Sequence, residues 1–100
     1  MTKYEAELER LSQLPRAARF EQLLEFPSQH LFKVIGRPSC SEGVQRTLRA
    51  LGFGEVGVVE RPSAKAKYLS VTFTLEVTDG RALDRVYLAL EQLPGVVYLL

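Results

Sequence analysis

The sequence contains a single cysteine, Cys40, and a single histidine, His30, among its 100 residues. A lone thiol excludes an internal disulfide and any zinc site built from several cysteines. His30 has no second histidine or cysteine at the spacing of metal ligands, so we expect no metal site. No nucleophile has a visible supporting base, and neither a G-x-S-x-G elbow nor a phosphate-binding loop is present. The sequence therefore predicts a protein with no catalytic residues, no metal and no cofactor.

The sequence also lacks a large excess of charge of either sign, because 13 basic and 12 acidic side chains leave a formal net charge of +1. This balance gives no general attraction to nucleic acid or to a membrane surface. The longest apolar run, Val96 to Leu100, is too short to span a bilayer. No apolar signal core follows the charged N-terminus, so the expected location is cytoplasmic. The positive charge that exists is concentrated in residues 27–67, which hold seven basic and three acidic side chains.

Residues 1–26 are predicted to form a helical extension ahead of the main domain. Tyr4, Leu8 and Leu11 share one helical stripe. Pro15 then either kinks this helix or begins a second one, since proline suits a first turn and disrupts a helix interior. The extension could pack on the sheet, pair with a second copy of the chain, or bind a partner protein.

Residues 27–100 are predicted to form one domain in the order β-α-β-β-α-β. The predicted strands cover residues 30–36, 55–61, 68–77 and 96–100. The third strand is the clearest element, because five apolar residues alternate strictly with polar ones from Leu69 to Val77. One face of the sheet should therefore be buried and the other solvated.

Two helices separate these strands, and each has recognisable ends. Ser39 to Glu42 matches a capping box at the start of the first helix, and Gly52 suits its end. Asp79 is expected to cap the second helix, which Pro94 and Gly95 stop. We therefore predict an α+β, ferredoxin-like two-layer sandwich, with a four-stranded antiparallel sheet, two helices on one face and an open opposite face.

Gly52 to Gly57 read G-x-G-x-x-G, the pattern of dinucleotide-binding loops. In such a site the glycines follow a strand and open a helix, so that the helix N-terminus meets the pyrophosphate. Here they follow a helix and enter a strand. We therefore interpret this stretch as a helix end followed by a flexible turn.

The best candidate for binding is the loop of residues 61–68, which joins two antiparallel strands. It holds three cations and a hydroxyl, and such a loop could bind a phosphate, a carboxylate or an acidic protein surface. The alternative is a hairpin tip that merely keeps the protein soluble. The residues assigned to this hypothetical anion or partner site are Arg61, Pro62, Ser63, Lys65, Lys67, Tyr68 and Ser70.

Three functions from different classes remain open. The leading hypothesis is a non-enzymatic regulatory or ligand-binding module that acts through this loop and the open sheet face. The alternative is a protein-interaction adaptor that acts through the N-terminal helices or the open sheet face. RNA binding has less support, because the third strand offers only Tyr68 for base stacking on its open face. The C-terminal edge strand could pair with a second copy, giving a homodimer.

Several short motifs resemble the YbeD-like family of small bacterial proteins. They are Leu23–Pro27, Phe32–Gly36, Arg61–Lys65, Tyr68–Val71 and Pro94–Leu100. The resemblance covers about residues 22–100 and implies a ferredoxin-like fold close to the ACT-type regulatory domains, with no established enzymatic activity.

This chain departs from the family pattern in the loop. The family usually has Pro-Ser-Ser-Lys-Gly there, whereas this chain carries Ala64 and Ala66 in place of the second serine and the glycine. If the family glycine adopts a positive φ, Ala66 would be strained at that position.

Overall fold

The computed structural model describes residues 2–100, which contain four helices and one four-stranded sheet. The elements in chain order are α1 (Lys3–Ser12), α2 (Arg16–Leu23), β1 (Ser28–Gly36), α3 (Cys40–Ala50), β2 (Val59–Pro62), β3 (Leu69–Val77), α4 (Gly80–Glu91) and β4 (Val96–Leu99). The strands lie in the order β2-β3-β1-β4, and every neighbouring pair is antiparallel. The predicted α+β, ferredoxin-like architecture is confirmed.

The core lies between the sheet and the helices α3 and α4. The central strands β1 and β3 are paired over nine residues each, from Ser28 opposite Val77 to Gly36 opposite Leu69. The alternation predicted from sequence is confirmed, because every second residue of β3 is buried and the residues between them are not. The fully buried side chains are Phe32, Val34, Val44, Leu48, Val71, Val77, Leu83, Val86 and Leu90. The helices therefore cover one face of the sheet and leave the other free.

Pro15 begins a second helix, which resolves the two alternatives that the sequence left open. It stands at the N-cap of α2, and this helix packs along α4. The guanidinium of Arg16 forms ion pairs with both Asp84 and Glu91 of α4. Within the N-terminal extension, α2 thus lies along the helix layer.

Close packing holds α2 on α4 at two further points. The Phe20 and Tyr87 rings stack with centroids 5.7 Å apart. The backbone N–H of Gly80 donates to the Glu21 carboxylate at 2.6 Å. A Cβ at Gly80 would overlap the carbonyl oxygen of Ala17 and lie 2.9 Å from Cγ of Glu21. Only glycine therefore allows α2 to approach the start of α4 this closely.

In α1 the predicted stripe is only partly buried. Leu11 is 8% exposed, whereas Tyr4 and Leu8 remain 73% and 49% exposed. Residues 3–10 are all exposed, so the rest of the chain covers only the C-terminal end of α1.

The second strand begins four residues later than predicted, at Val59 instead of residue 55. Gly52 and Gly54 have φ of +96° and +70°, so the chain turns twice before it can extend. Val56 and Val58 still pack against the core, but without a strand ladder. The apolar pattern therefore predicted the burial of these valines correctly, but it wrongly predicted that they pair with a neighbouring strand.

The predicted capping box is wrong. Ser39 has a helical backbone conformation and makes no side-chain capping bond, because a serine N-cap needs an extended backbone to reach the first turn. The hydroxyl of Ser41 instead donates to the Glu60 carboxylate on β2. By contrast, Asp79 caps α4 as predicted, since its carboxylate accepts from the N–H of Ala82 at 2.7 Å.

Ala66 has φ of +53°, the left-handed conformation that the family pattern suggested. It is the one non-glycine residue between 2 and 100 with a positive φ. A Cβ in this conformation crowds the neighbouring carbonyl oxygen, which costs about 1–2 kcal/mol. The loop thus keeps its turn despite the alanine.

We expect Gly80→Ala to lower the free energy of unfolding by about 1–3 kcal/mol, because α2 must move away from α4 to admit the methyl group. Urea denaturation measures the effect. Gly57→Ala is the matched control, since a Cβ there meets nothing within 4 Å. Equal stability of the two variants would contradict the tight approach of α2 to α4.

We expect Ala66→Gly to raise the free energy of unfolding by about 0.5–1 kcal/mol, because relief of the left-handed strain exceeds the added entropy of the unfolded chain. Ala64→Gly is the control, because the backbone of Ala64 has no positive φ and glycine there should only destabilise. Thermal denaturation of both variants checks the difference in sign. A fall in stability on Ala66→Gly would argue against strain at this turn.

Candidate functional site

The open face of the sheet carries its side chains in cross-strand rows, which follow from the strand register. One row runs across all four strands as Arg61, Ser70, Ile35 and Tyr98. The next row consists of Val59, Thr72, Lys33 and Leu100, where the backbones of Lys33 and Leu100 exchange hydrogen bonds of 3.2 and 2.9 Å. Side chains directly opposite each other in such a sheet have Cβ atoms about 5 Å apart. Neighbours in one row can therefore contact the same ligand.

Positive charge gathers at the end of this face where the β2–β3 hairpin turns. Arg61 and Lys33 lie on either side of the hydroxyl-bearing residues Ser70 and Thr72. The side chains of Lys65 and Lys67 are exposed in the hairpin tip. Within residues 2–100 the ion pairs lie in α1 and between α2 and α4, and none involves these four cations. Their charge is therefore free to act on a ligand.

The hairpin tip is held by hydrogen bonds that define its shape. The Ser63 N–H donates to the Tyr68 carbonyl at 2.9 Å, and the Tyr68 N–H donates back to the Ser63 hydroxyl at 3.1 Å. The Ala66 N–H donates to the Ser63 carbonyl at 2.8 Å. The ammonium of Lys67 lies 5.6 Å from the centroid of the Tyr68 ring, which is within cation–π range. The turn thus presents its lysines from a defined backbone.

The structure brings together most of the seven residues named from the sequence. Arg61, Ser63, Tyr68 and Ser70 follow one face in register, because Arg61 is opposite Ser70 and Ser63 is bonded to Tyr68. Pro62 is the exception, since it alternates with Arg61 and lies opposite buried Leu69. The Ser70 hydroxyl donates to the Arg61 carbonyl at 3.3 Å, so this donor is used inside the hairpin.

Two residues of this face were not proposed from the sequence. Lys33 could be placed on the open side by the alternation of β1, but its position beside Thr72 depends on a register that one sequence does not reveal. Tyr98 adds an exposed ring on β4 opposite Ile35. Within the bounds of β1 and β3 no aromatic side chain lies on this face. These central strands therefore do not form the stacking surface of RNA-binding sheets.

The single histidine and the single cysteine both lie on the helix side. The Nε2 atom of His30 is 3.2 Å from the Tyr87 hydroxyl, and burial lowers the pKa of His30, so the neutral ring is favoured. Burial raises the pKa of the Cys40 thiol, which keeps it protonated and weakly nucleophilic. Among residues 2–100 no group of three or more metal-binding side chains comes together.

None of the helices between residues 2 and 100 is long and apolar enough to cross a bilayer. The β4 strand forms an edge of the sheet, and Val97 and Tyr98 on it are exposed. The homodimer suggested from the sequence would use this edge, and it stays a prediction.

Comparison with known proteins relates the chain to several bacterial relatives. A UPF0250 protein of Shewanella piezotolerans is 32% identical over 80 residues, which cover 78% of this chain and 91% of the relative. A UPF0250 protein of Bordetella pertussis is 35% identical over 80 residues, covering 76% and 88%. A UPF0250 protein of Janthinobacterium sp. is 35% identical over 86 residues, covering 80% and 92%.

The fold has a counterpart among solved structures. The solution structure of protein HP0495 from H. pylori superposes with a TM-score of 0.68, at 19% identity, over 89% of this chain and 90% of that one. The family described as "Protein of unknown function (DUF493)" matches residues 21–100. The motifs that resemble YbeD-like proteins lie in this matched region, and that resemblance is confirmed. The chain belongs to the DUF493 (UPF0250) family of small, YbeD-like bacterial proteins of unknown function.

Proposed function

We propose that the chain is a non-enzymatic regulatory module that binds an anionic group, phosphate or carboxylate, at the hairpin end of its open sheet face. The group would belong to a small molecule or to an acidic surface of a partner protein. One observation carries the proposal: Lys33, Arg61, Lys65 and Lys67 gather at one end of this face, and none of them is neutralised by a carboxylate of residues 2–100.

The chemistry of these side chains supports an anion as the ligand. The guanidinium of Arg61 can donate hydrogen bonds to two oxygens of a phosphate or carboxylate at once, and each lysine ammonium adds a point charge. The Ser63 hydroxyl accepts from the Tyr68 N–H, so its own proton remains free to donate to a ligand. Because these groups are exposed, water and salt screen them, and we expect affinities in the millimolar to high micromolar range.

The proposal treats residues 27–100 as the ACT-like binding domain and residues 1–26 as an extension that packs on it. The proposed site and α2 are well separated, since the hairpin follows β2 at one edge of the sheet and α2 lies along α4 in the helix layer. Binding at the hairpin therefore needs no movement of the extension.

Titration with inorganic phosphate and with citrate, followed by the backbone amide signals of Lys33 and of residues 61–70, tests the site. We expect saturable shifts confined to the hairpin and to Lys33. Arg61→Ala and Lys67→Ala should each weaken binding about two- to fivefold, as expected for exposed charge pairs. Arg46→Ala is the matched control, because Arg46 is an exposed arginine on α3 in the helix layer. The same loss on Arg46→Ala, or no hairpin shifts at high millimolar ligand, would exclude this site.

The adaptor alternative is favoured by one specific observation on α1. Tyr4 and Leu8 lie one turn apart and are 73% and 49% exposed, although both are large apolar side chains. The apolar side chains of α2 are partly occupied by α4, so an adaptor surface would centre on α1.

Surface variants test the adaptor better than deletion, because deleting residues 1–21 would also uncover α4. We expect Tyr4→Ser with Leu8→Ser to abolish partner capture if the adaptor hypothesis holds, and circular dichroism should show an intact fold. The double variant Arg61→Ala with Lys67→Ala tests the hairpin in the same capture experiment. Capture that survives the α1 changes and fails with the hairpin changes would eliminate the adaptor and favour the anion site.

A further inference from the structure

The outer edge of β3 is only half covered by a neighbouring strand. β2 pairs with Leu69–Thr72, and the remaining residues 73–77 pair with β1 alone. In an antiparallel ladder, the residues whose N–H and C=O point to one neighbour alternate along the strand. Tyr68 is hydrogen-bonded to Ser63 on the β2 side of β3. Every second residue after Tyr68, including Thr74 and Glu76, therefore points its backbone N–H and C=O to this same side, away from β1. No backbone hydrogen bond from residues 2–100 reaches these groups.

A groove lies directly along this uncovered edge. Residues 53–58 run past β3 without pairing to it and leave a space of about 590 Å³. Its walls include Leu31 and Val59, which are 64% and 66% exposed, together with Phe53. An edge of five residues spans about 17 Å, the length of a typical short strand. The groove thus combines a free ladder edge with exposed apolar side chains.

The rim of this groove is acidic. Glu55 and Glu76 both line it, both are exposed, and neither forms an ion pair within residues 2–100. Gln29 donates to the Glu76 carboxylate at 3.3 Å, which leaves the negative charge uncompensated. The open face is therefore polarised, with carboxylates at this end and cations at the hairpin end.

We propose that this edge binds an extended segment of another protein as an added strand, in which apolar side chains alternate with lysine or arginine. Thr74 and Glu76 would supply the ladder hydrogen bonds. The apolar side chains would point to the helix side and contact Phe53, and the cations would point to the open face and pair with Glu55 and Glu76. Alternation follows from the geometry of a strand, whose successive side chains point to opposite faces.

A second copy of this chain is a poorer occupant of the same edge. Antiparallel pairing of two such edges would bring Glu55 and Glu76 of both copies together, and like charges in close cross-strand positions are destabilising. The exposed strand β4 offers no cation either, because residues 96–100 carry only apolar and tyrosine side chains. Charge complementarity therefore selects a different, basic partner.

A capped seven-residue peptide that alternates valine with lysine is the probe. We expect it to shift the Thr74 and Glu76 amide signals and to slow their hydrogen exchange, since both N–H groups become bonded. A peptide with glutamate in place of lysine should bind at least about threefold more weakly. Glu55→Lys with Glu76→Lys should invert this preference, whereas Glu9→Lys with Glu25→Lys, an equal charge change at exposed positions of the N-terminal region, should preserve it.

Backbone pairing is tested separately with two peptides, each N-methylated along one of its two hydrogen-bonding edges. One of them should lose binding and the other should keep it. Equal binding of both, or absence of shifts at Thr74 and Glu76 with millimolar lysine peptide, would overturn strand addition. Arg61→Ala should leave the peptide affinity unchanged, so this result is independent of whether the hairpin binds anions.

Discussion

The pairing of β1 with β3 over nine residues each is the constraint on which the rest of the structure depends. A shift of one residue would turn Phe32 and Val34 toward solvent and bring Lys33 into the core. The same register places α3 and α4 over one face and fixes which polar side chains become neighbours on the other. The arrangement of side chains on the open face is therefore a consequence of the pairing that forms the core.

The free face owes its character to charge that the rest of the molecule does not neutralise. Ion pairs hold the N-terminal helices, as between Arg16 and the carboxylates of α4, whereas the cations of the hairpin have no such partner within residues 2–100. The net charge of +1 does not reveal this separation of positive from negative charge, since the two ends of the face carry opposite signs. Local arrangement, and not overall composition, decides what this surface can attract.

Elements with strong periodicity were predictable, and those that depend on distant contacts were not. The alternation from Leu69 to Val77 specified β3, its buried face and the open face, because a half-buried strand leaves that pattern in any sequence. The start of β2 was misplaced because two glycines with positive φ reshape a valine-rich stretch. Ser39 matched a capping motif, yet its backbone is set by the preceding turn. The hairpin residues could be named from the sequence, while Lys33 joins them only through strand register.

Docking of α2 along α4 has a consequence for how this chain can differ from its relatives. The family match begins at residue 21, so Arg16 and Phe20, which cover Asp84 and Tyr87, stand outside it. This flank of α4 is occupied by the chain's own helix, and any protein that recognises it must first displace α2. A protein that bound this flank would have to compete with a tethered helix, and its affinity would be lowered by the docking free energy of α2.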